Sequence, residues 1–266
     1  MSKKCVIETG GFTFEYKIDN TKETLDMSHC HSVYEIIYVL SGEGRYIVEG
    51  SSFDIKPGTL MVIRPFEYHS VLISDKSQYE RYVIHFSESD LVPDALSLLE
   101  GFMSAENSSG KYYKAASLNG SVLSLLERFE NALSIPKEER RVYVKMLLSE
   151  LIVLLSVCSG EQMAHEEGEL GARVIRYLNE HINKDVSLDK LAKRFFVSKY
   201  YLCRAFKKHN GISVHGYINQ KRVMYAKQLI ENGQTASGAA YQVGFGDYSA
   251  FYRAYVKIVG KSPTAE

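Results

Sequence analysis

Short apolar runs separated by turn residues make up the first third of the chain. Between residues 12 and 86 these runs are bounded by Gly, Pro and Ser, and none is long enough to predict a helix. Residues 34–40 and 45–48 flank a Gly-containing turn at 41–44, which predicts a β-hairpin. Further turns are predicted at 50–52, 56–58 and 64–66. Because regularly spaced strands usually close on themselves and so remove exposed edges, we expect a small antiparallel β-barrel.

Helical periodicity begins after Asp90. Residues 122–133 and 138–157 carry apolar residues three and four positions apart, which predicts two helices. The apolar stripe of the second helix is wider than one contact surface needs, and it consists of Val144, Leu147, Leu148, Leu151, Ile152, Leu154 and Leu155. Packing on the barrel, pairing with a second copy of the chain, or both would use this stripe.

A polar, acidic and aperiodic segment follows these helices. We interpret residues 161–170 as a linker between a domain at 1–160 and a domain at 171–266. The second domain is predicted to be entirely helical, with breaks at 183–186, 195–198, 211–213, 232–235 and 244–247. The expected fold is therefore α+β in two domains, with an N-terminal antiparallel β-barrel and its following helices, and a C-terminal all-α domain.

The net charge of zero conceals opposite charges in the two halves of the chain. Residues 172–266 contain 16 Lys and Arg against 6 Asp and Glu, whereas residues 1–171 contain 16 against 26. A basic domain of this size is typical of proteins that bind a polyanion such as nucleic acid. A solvated basic face is the alternative, so the charge alone does not decide.

Cysteine spacing and hydropathy indicate the cellular compartment. Cys5, Cys30, Cys158 and Cys203 lie far apart and form no Cys-x-x-Cys pair, which argues against a disulfide framework and a zinc finger. No apolar stretch reaches the roughly 18 residues that cross a bilayer, and the first residues lack an apolar signal core. We therefore expect a cytoplasmic protein with reduced thiols and no membrane partner.

Two helix pairs in the basic half have the form of helix-turn-helix units. In the first pair, Ser187 is a candidate N-cap for a short helix, and Ser198 for the helix that starts at Lys199. The inner face of the later helix carries Leu202, Ala205 and Phe206. Its outer face is polar, basic and aromatic, and consists of Lys199, Tyr200, Cys203, Arg204 and Lys207. Such a face suits insertion into the major groove of DNA, where Arg can bind guanine through two hydrogen bonds.

The same pattern recurs nearer the end of the chain. A helix of small residues begins at Ala236, a turn follows at 244–247, and a second outward helix is predicted at 248–259. The outer face of that helix supplies further candidates for DNA contacts, namely Tyr248, Ser249, Tyr252 and Arg253. A longer helix at about 214–231 would set the spacing of the two units. Two such units in a basic domain predict binding to double-stranded DNA, although helix pairs also occur in enzymes and bundles.

These segments resemble the AraC/XylS family of transcription regulators over nearly the whole basic domain. The similarity is carried by residues 188–192, 197–208, 211–213, 217–222, 243–253 and 260–263, with Ala226 and Leu229. The resemblance implies that two recognition helices enter successive segments of the major groove. It also implies that the chain is a regulator and not an enzyme.

A cluster of histidines marks a candidate pocket in the N-terminal half. His29, His31 and Glu35 have the same parity, so on one continuous strand they would share a face of the sheet. The patterns His29-x-His31-x-x-x-Glu35 and Pro65-x-x-x-His69 resemble the two motifs of the cupin superfamily. We expect a cupin-like domain that senses a small molecule with no cofactor, and the ligand-binding candidates are His29, His31, Glu35, Arg45, Arg64, His69, Tyr82 and His85.

A metal and a structural role are the alternatives for these histidines. In metal-binding cupins such residues supply three His and one carboxylate, which suit a divalent iron, manganese or zinc ion. The leading expectation is that no metal binds. If one does, the predicted ligands are His29, His31, Glu35 and His69. The third alternative is that the histidines only support the fold.

The resulting hypothesis is a homodimeric regulator of transcription whose barrel binds a small polar effector, with a sugar as the first class to consider. A dimer is expected because a regulator that reads two half-sites needs two copies. RNA polymerase is kept as a further candidate partner. The rival hypotheses are a metal-dependent cupin enzyme fused to DNA-binding helices, and an interaction module whose helices join only proteins.

Overall fold

The computed structural model divides into an N-terminal part rich in strands and a C-terminal part made of helices. It describes residues 2–9, 11–19, 29–74, 78–103, 109–118, 120–158, 160–163 and 169–264. Its strands are β1 (Ser2–Thr9), β2 (Phe12–Asp19), β3 (Tyr34–Ser41), β4 (Gly44–Val48), β5 (Ser51–Ile55), β6 (Leu60–Ile63), β7 (His69–Ile73), β8 (Tyr79–Phe86), β9 (Ser109–Tyr113) and β10 (Glu161–Met163). Its helices are α1 (Pro93–Met103), α2 (Gly120–Asn131), α3 (Lys137–Val157), α4 (Leu170–His181), α5 (Leu188–Arg194), α6 (Lys199–Asn210), α7 (Val214–Glu231), α8 (Ala236–Gln242) and α9 (Tyr248–Val259). The predicted α+β fold is confirmed.

The described strands lie in two sheets that are antiparallel throughout. The larger sheet has the order β1-β2-β8-β3-β6-β9-β10, and the smaller has the order β5-β4-β7. The hairpin predicted for residues 34–48 is wrong, because β3 pairs with β6 and β8 whereas β4 pairs with β5 and β7. The chain changes sheet near Gly42, whose φ of 96° and close approach to the Tyr79 backbone leave little room for a side chain.

The tight hairpin of this region joins β4 to β5. Val48 pairs with Ser51, so Glu49 and Gly50 form a two-residue turn. Both turn residues have positive φ, 47° and 84°, as a type I′ turn requires. A positive φ is ordinary for glycine but unfavourable for Glu49, by on the order of 1 kcal/mol. The turn carries the Glu49 side chain toward the helical domain.

Both faces of the larger sheet are buried. One face packs on α1, α2 and α3, in a core that includes Phe14, Ile84, Leu126, Phe129 and Leu151. The other face meets the smaller sheet, in a core that includes Ile37, Val39, Met61, Tyr46 and Val71. This two-sided burial explains why β3 buries five consecutive residues instead of every second one.

The apolar stripe predicted for α3 forms the inner face of the helix, and a separate outer face that the prediction did not include is also apolar. The inner face is buried against the sheet and the neighbouring helices, and includes Val144, Leu147, Leu148, Leu151, Ile152 and Leu155. The outer face has the spacing of a second helical stripe and leaves exposed Val142, Met146, Val153 and Val157. Internal packing therefore accounts for the first face only.

The helical part is built from two small cores that share α7. Side-chain N-caps open its helices: those of Ser187, Ser198, Ser213, Thr235 and Asp247 each accept a backbone N–H in the first turn of α5 to α9. Two of these caps, Ser187 and Ser198, were predicted. The first core joins α4, α5 and α6 to the start of α7, and the second joins α8 and α9 to the rest of it.

The predicted linker at 161–170 is placed only in part. Its first three residues form β10, which pairs with β9, and its last residue begins α4. Residues 164–168 lie outside the described residues. Among the described helices, none combines the length and apolar character that crossing a membrane requires.

Candidate functional site

Helix α6 presents the first candidate surface for DNA. Leu202 and Phe206 are buried below it, as predicted. The opposite side exposes the predicted residues Lys199, Tyr200, Arg204 and Lys207, and leaves Cys203 half-buried. The Ser198 Oγ atom accepts the N–H of Tyr201 at 3.2 Å, which fixes the start of the helix. Tyr201 itself is also exposed, and the sequence pattern did not identify it.

Helix α9 presents the second candidate surface. Phe251 and Tyr255 are fully buried in its core. Among the predicted contact residues, Ser249, Tyr252 and Arg253 are exposed. Tyr248 is half-buried, because its ring packs on Phe251 with 5.7 Å between centroids. Three of the four predicted residues are therefore available to DNA along their whole side chains, and the fourth only in part.

One arginine connects the two helix-turn-helix units. From α7, the Arg222 guanidinium donates to the carbonyl oxygens of Ile182 at 2.8 Å and Lys184 at 2.6 Å, both in the loop before α5. It also donates to the carbonyl oxygen of Gly244 at 2.8 Å, in the turn before α9. Because a planar guanidinium holds its donors in a fixed fork, Arg222 sets the distance between the two units.

The structure brings five of the predicted pocket residues together between the two sheets. Glu35 on β3 pairs across the ladder with His85 on β8, and His69 at the start of β7 forms a backbone bridge with His29. Three imidazoles surround the carboxylate of Glu35. The Nε2 atoms of His31 and His69 lie 3.3 Å and 3.0 Å from its Oε2 atom, and that of His85 lies 3.2 Å from its Oε1 atom.

Burial and mutual charge oppose each other in this cluster. Burial alone would raise the pKa of Glu35, but His69 and the other facing imidazoles hold it well below its usual range. Burial lowers the pKa of His31. Burial would also lower the pKa of His69, but the facing Glu35 carboxylate raises it above the usual value. The carboxylate is therefore ionised at neutral pH inside the protein.

The other three predicted pocket residues are not part of the cluster. Arg45 is exposed on the outer side of β4. The Nε atom of Arg64 instead pairs with a carboxylate oxygen of Glu67 at 2.7 Å. Tyr82 points to the helices, where its hydroxyl donates to Glu130 on α2 at 2.9 Å. The parity of β8 explains this, since residues 82 and 85 must face opposite sides of the sheet.

The pocket also contains residues that the sequence-based candidates omitted. The guanidinium of Arg81 lies 2.6 Å from a carboxylate oxygen of Asp19, and both side chains are buried. Arg81 also lies over the ring of Tyr79, and Tyr46 stacks on His69. Residues 79, 81 and 85 alternate along β8, so strand parity could have identified the first two once His85 was known to face inward.

Two family models match the chain and decide its family. The model of the AraC-like ligand binding domain matches residues 15–155, which is more than half of the chain. The model of a helix-turn-helix domain matches residues 191–265. The chain belongs to the AraC family. The predicted resemblance is thereby confirmed, and so is the expectation of a regulator that is not an enzyme.

The chain is also similar to a curated relative and to two solved structures. The HTH-type transcriptional activator RhaS of Salmonella schwarzengrund is 26% identical over 245 residues, which are 88% of this chain and 85% of that protein. The structure of ToxT from Vibrio cholerae bound to (E)-4-(8-methylnaphthalen-1-yl)but-3-enoic acid is 14% identical, with a TM-score of 0.42, over 96% of this chain and 98% of that one. The C-terminal domain of AraT, a response regulator from Geobacillus stearothermophilus, is 26% identical with a TM-score of 0.36, over 38% of this chain and 84% of that one.

A buried carboxylate joins the ligand-binding domain of this AraC-family chain to its helix-turn-helix domain. Glu49, in the turn between β4 and β5, accepts hydrogen bonds from Asn179 on α4 at 3.0 Å and from Tyr217 on α7 at 2.5 Å. Its Oε1 atom lies 2.5 Å from the ammonium of Lys221 on α7. Glu49 and Lys221 are only 2% and 4% exposed, so the pair is sealed from water.

Electrostatics and packing reinforce this junction. Burial would raise the pKa of Glu49, but Lys221 lowers it below the usual value. Burial would lower the pKa of Lys221, but Glu49 raises it. The rings of Phe66 and Tyr225 stack beside the pair at 4.0 Å between centroids. Tyr68 and Cys30 of the ligand-binding domain are buried in the core of the first helix-turn-helix unit.

Proposed function

We propose that this AraC-family regulator binds DNA sequence-specifically with affinity controlled by a small polar effector held between its two sheets. The observation that carries the proposal is the position of Glu49, which joins the strands of the histidine pocket to the helices of the DNA-binding domain. We infer that residues 1–160 sense the effector, residues 161–170 connect, and residues 171–266 read DNA in the cytoplasm.

The DNA contacts are assigned to the exposed faces of α6 and α9. Arg204 and Arg253 are exposed near the middle of these helices, where a side chain reaches the base edges of the major groove. The other assigned residues, for the same groove or its phosphates, are Lys199, Tyr200, Cys203, Lys207, Tyr248, Ser249 and Tyr252. Because Arg222 fixes the distance between the units, both helices would engage one DNA segment together.

A short covalent and hydrogen-bonded path supports effector control. His69 in the pocket pairs across the ladder with Val48, the residue before Glu49. The backbone N–H of Tyr68, next to His69, donates to the Glu49 carboxylate at 2.7 Å. A ligand that moves His69 would therefore also move the acceptor that holds α4 and α7. Only a ligand with unequal affinity for the two arrangements would change DNA affinity.

The interior between the sheets suits a polar effector. The buried Glu35 carboxylate and the buried pair of Asp19 with Arg81 place charged groups there, and Tyr46 and Tyr79 add aromatic surface. A cleft of about 580 Å³ opens between β5 and the edge formed by β9 and β10. This volume lies within the range of small-molecule sites, about 300 to 1,000 Å³, but the cleft is a separate space that none of the five clustered pocket residues lines. A sugar is the first class to test.

Dimerisation is assigned to the outer face of α3. Val142, Met146, Val153 and Val157 form an apolar stripe that nothing covers among the described residues. The same patch on a second copy would cover it in a two-fold dimer. Such a dimer places two DNA-binding domains on two half-sites. RNA polymerase remains a proposed further partner.

The coupling is tested by measuring operator affinity with and without an effector. A panel of free monosaccharides is first screened for compounds that raise the melting temperature of the full-length protein. We expect such a sugar to change the affinity of the wild type for its operator, and to change that of Glu49→Gln/Lys221→Met much less. Lys227→Met, which removes a surface partner of Glu231 on the same helix, is the control. A stabilising sugar that leaves wild-type DNA affinity unchanged would overturn the coupling.

A further inference from the structure

We propose that His31, His69, His85 and Glu35 form a binding site for one divalent transition-metal ion. The four side chains come from three strands and one preceding loop, and each imidazole Nε2 atom lies within 3.3 Å of a Glu35 carboxylate oxygen. The ligand atoms of His31, Glu35 and His85 all lie within 4.8 Å of one another, and so do those of His29, His31 and His69. The site lies in the pocket assigned to the effector and in this respect rests on the proposed function.

The spacing of the ligand atoms fits a coordination shell. A nitrogen or oxygen ligand lies about 2.0 to 2.2 Å from zinc, so two ligands at tetrahedral or octahedral angles are about 3.0 to 3.4 Å apart. The three imidazole nitrogens lie 3.0 Å, 3.2 Å and 3.3 Å from the oxygens of Glu35. An ion placed among these atoms would need little movement of the side chains.

The backbone orients two of the imidazoles for metal binding. The Nδ1 atom of His31 lies 2.9 Å from the carbonyl oxygen of Val33, and that of His69 lies 2.7 Å from the carbonyl oxygen of Glu67. Since a carbonyl only accepts hydrogen bonds, each Nδ1 must carry the hydrogen. Whenever such a ring is neutral, its Nε2 atom carries the lone pair that a metal ion would accept.

This orientation of the rings is the one that a metal site requires. Metal-binding histidines in proteins are held in this way, with the second ring nitrogen donating to a carbonyl or carboxylate. The Nε2 atom of His69 is fully buried, and the group that faces it is the Glu35 carboxylate at 3.0 Å.

The donor set indicates the class of metal. Three imidazoles and one carboxylate suit zinc, nickel, cobalt, copper or iron, whereas magnesium and calcium prefer oxygen ligands only. His85 distinguishes this site from the set His29, His31, Glu35 and His69 that the sequence motifs indicate, because its Nε2 atom directly faces Glu35. The side chains of His31 and His85 are 16% and 22% exposed, so the ion would be reached from that side.

The test is metal binding by the full-length protein without DNA. The protein is stripped with a chelator, dialysed, and titrated with Zn²⁺ by calorimetry and with Co²⁺ by visible absorption. We expect one ion per chain, and a loss of affinity of about tenfold to a hundredfold in His31→Gln and His85→Gln. His215→Gln, which changes an exposed histidine outside the pocket, should bind as the wild type does.

Each outcome decides the proposal. A wild type that binds no stoichiometric Zn²⁺ or Co²⁺ overturns it, and so does unchanged affinity in both pocket variants. If a variant fails to fold, as circular dichroism would show, the stoichiometry and the Co²⁺ spectrum of the wild type decide alone. Because DNA is not present, loss of the metal site and loss of the regulatory function are measured separately.

Discussion

At the scale of single residues, the buried Glu49 and the half-buried Arg222 hold the molecule in its functional arrangement. Arg222 bonds three carbonyl oxygens of two different units, and Glu49 bonds three side chains of the neighbouring domain. Each of these side chains makes several strong hydrogen bonds in a fixed geometry. Substitutions at these positions should therefore have effects far larger than those of other polar side chains.

Removing the Arg222 guanidinium should loosen the connection between the two helix-turn-helix units. We expect Arg222→Ala to lower the free energy of unfolding by about 2 kcal/mol, because charged hydrogen bonds to carbonyls are lost. Arg222→Lys should restore little, since an ammonium cannot reach three separated acceptors in a fixed plane. Urea unfolding of the full-length protein measures the change. Equal stability of the wild type and Arg222→Ala would contradict the role given to this residue.

Removing only one partner of the Glu49–Lys221 pair should lower the free energy of unfolding strongly. Lys221→Met leaves a buried, uncompensated carboxylate, so we expect a loss of about 3 to 5 kcal/mol in unfolding free energy. Adding Glu49→Gln should recover part of the loss because the remaining charge is removed. Lys227→Met on the same helix is the matched control and should change stability by about 0.5 kcal/mol or less. If Lys221→Met and Lys227→Met lower the free energy of unfolding by similar amounts, the Glu49–Lys221 pair is not sealed from water.

The Glu49–Lys221 pair should also make the free energy of unfolding depend on pH. The pKa of Glu49 is lowered in the folded protein, so its contribution is complete above the ordinary glutamate value, about 4.3. As the pH falls below that value, the unfolded chain takes up the proton first and the contribution is lost. The stability difference between the wild type and Glu49→Gln/Lys221→Met should therefore shrink on acidification. Urea titrations at several pH values measure it, and a constant difference would refute the assignment.

The exposed positions of α6 and α9 could mostly be predicted from the sequence, but only part of the pocket could. Arg204 and Arg253 follow from helical periodicity, which one segment reveals by itself. The junction of Glu49 with Lys221 could not be predicted, because 172 positions separate them along the chain. Strand parity correctly placed Glu35, and it shows that Tyr82 and His85 face opposite sides of β8, but which of the two points into the pocket depends on the pairing of β8 with β3.

At the scale of secondary-structure elements, the helices were better predicted than the strand pairing. The segments 122–133 and 138–157 nearly coincide with α2 and α3, because a helix satisfies its own hydrogen bonds. The pairing of β3 with β8 could not be foreseen, since a strand takes its partner from a distant part of the chain. The turn at 41–44 contains the right residues for a hairpin, yet the chain leaves the sheet there.

Helix α3 carries the element-scale prediction. We expect Met146→Glu/Val153→Glu to convert a dimer into a monomer, because charges on the exposed stripe cannot be buried at a two-fold interface. Sedimentation velocity of the full-length protein measures the state. Leu98→Glu on α1, also at an exposed apolar position, is the control and should leave the dimer intact. A double variant that still dimerises would place the interface elsewhere.

At the scale of the whole molecule, the two domains are one continuous structure. The core of the first helix-turn-helix unit includes Tyr68 and Cys30 from the ligand-binding domain, and Glu49 reaches the same helices. In the proposed function, a ligand between the sheets acts through this continuity on α4 and α7, the helices that Glu49 contacts. The sequence predicted two domains and a linker, but it gave no sign that the domains share a core.

The central claim is that α6 and α9 read DNA as a pair. It is tested most directly by titrating the purified protein against a labelled duplex from DNA upstream of its own coding region, with unlabelled competitor. We expect specific binding that Arg204→Ala and Arg253→Ala each weaken by about 1 to 3 kcal/mol. Arg141→Ala, which removes an exposed charge from α3, should bind as the wild type does. Binding that is equally strong on any duplex and unaffected by both substitutions would contradict the claim.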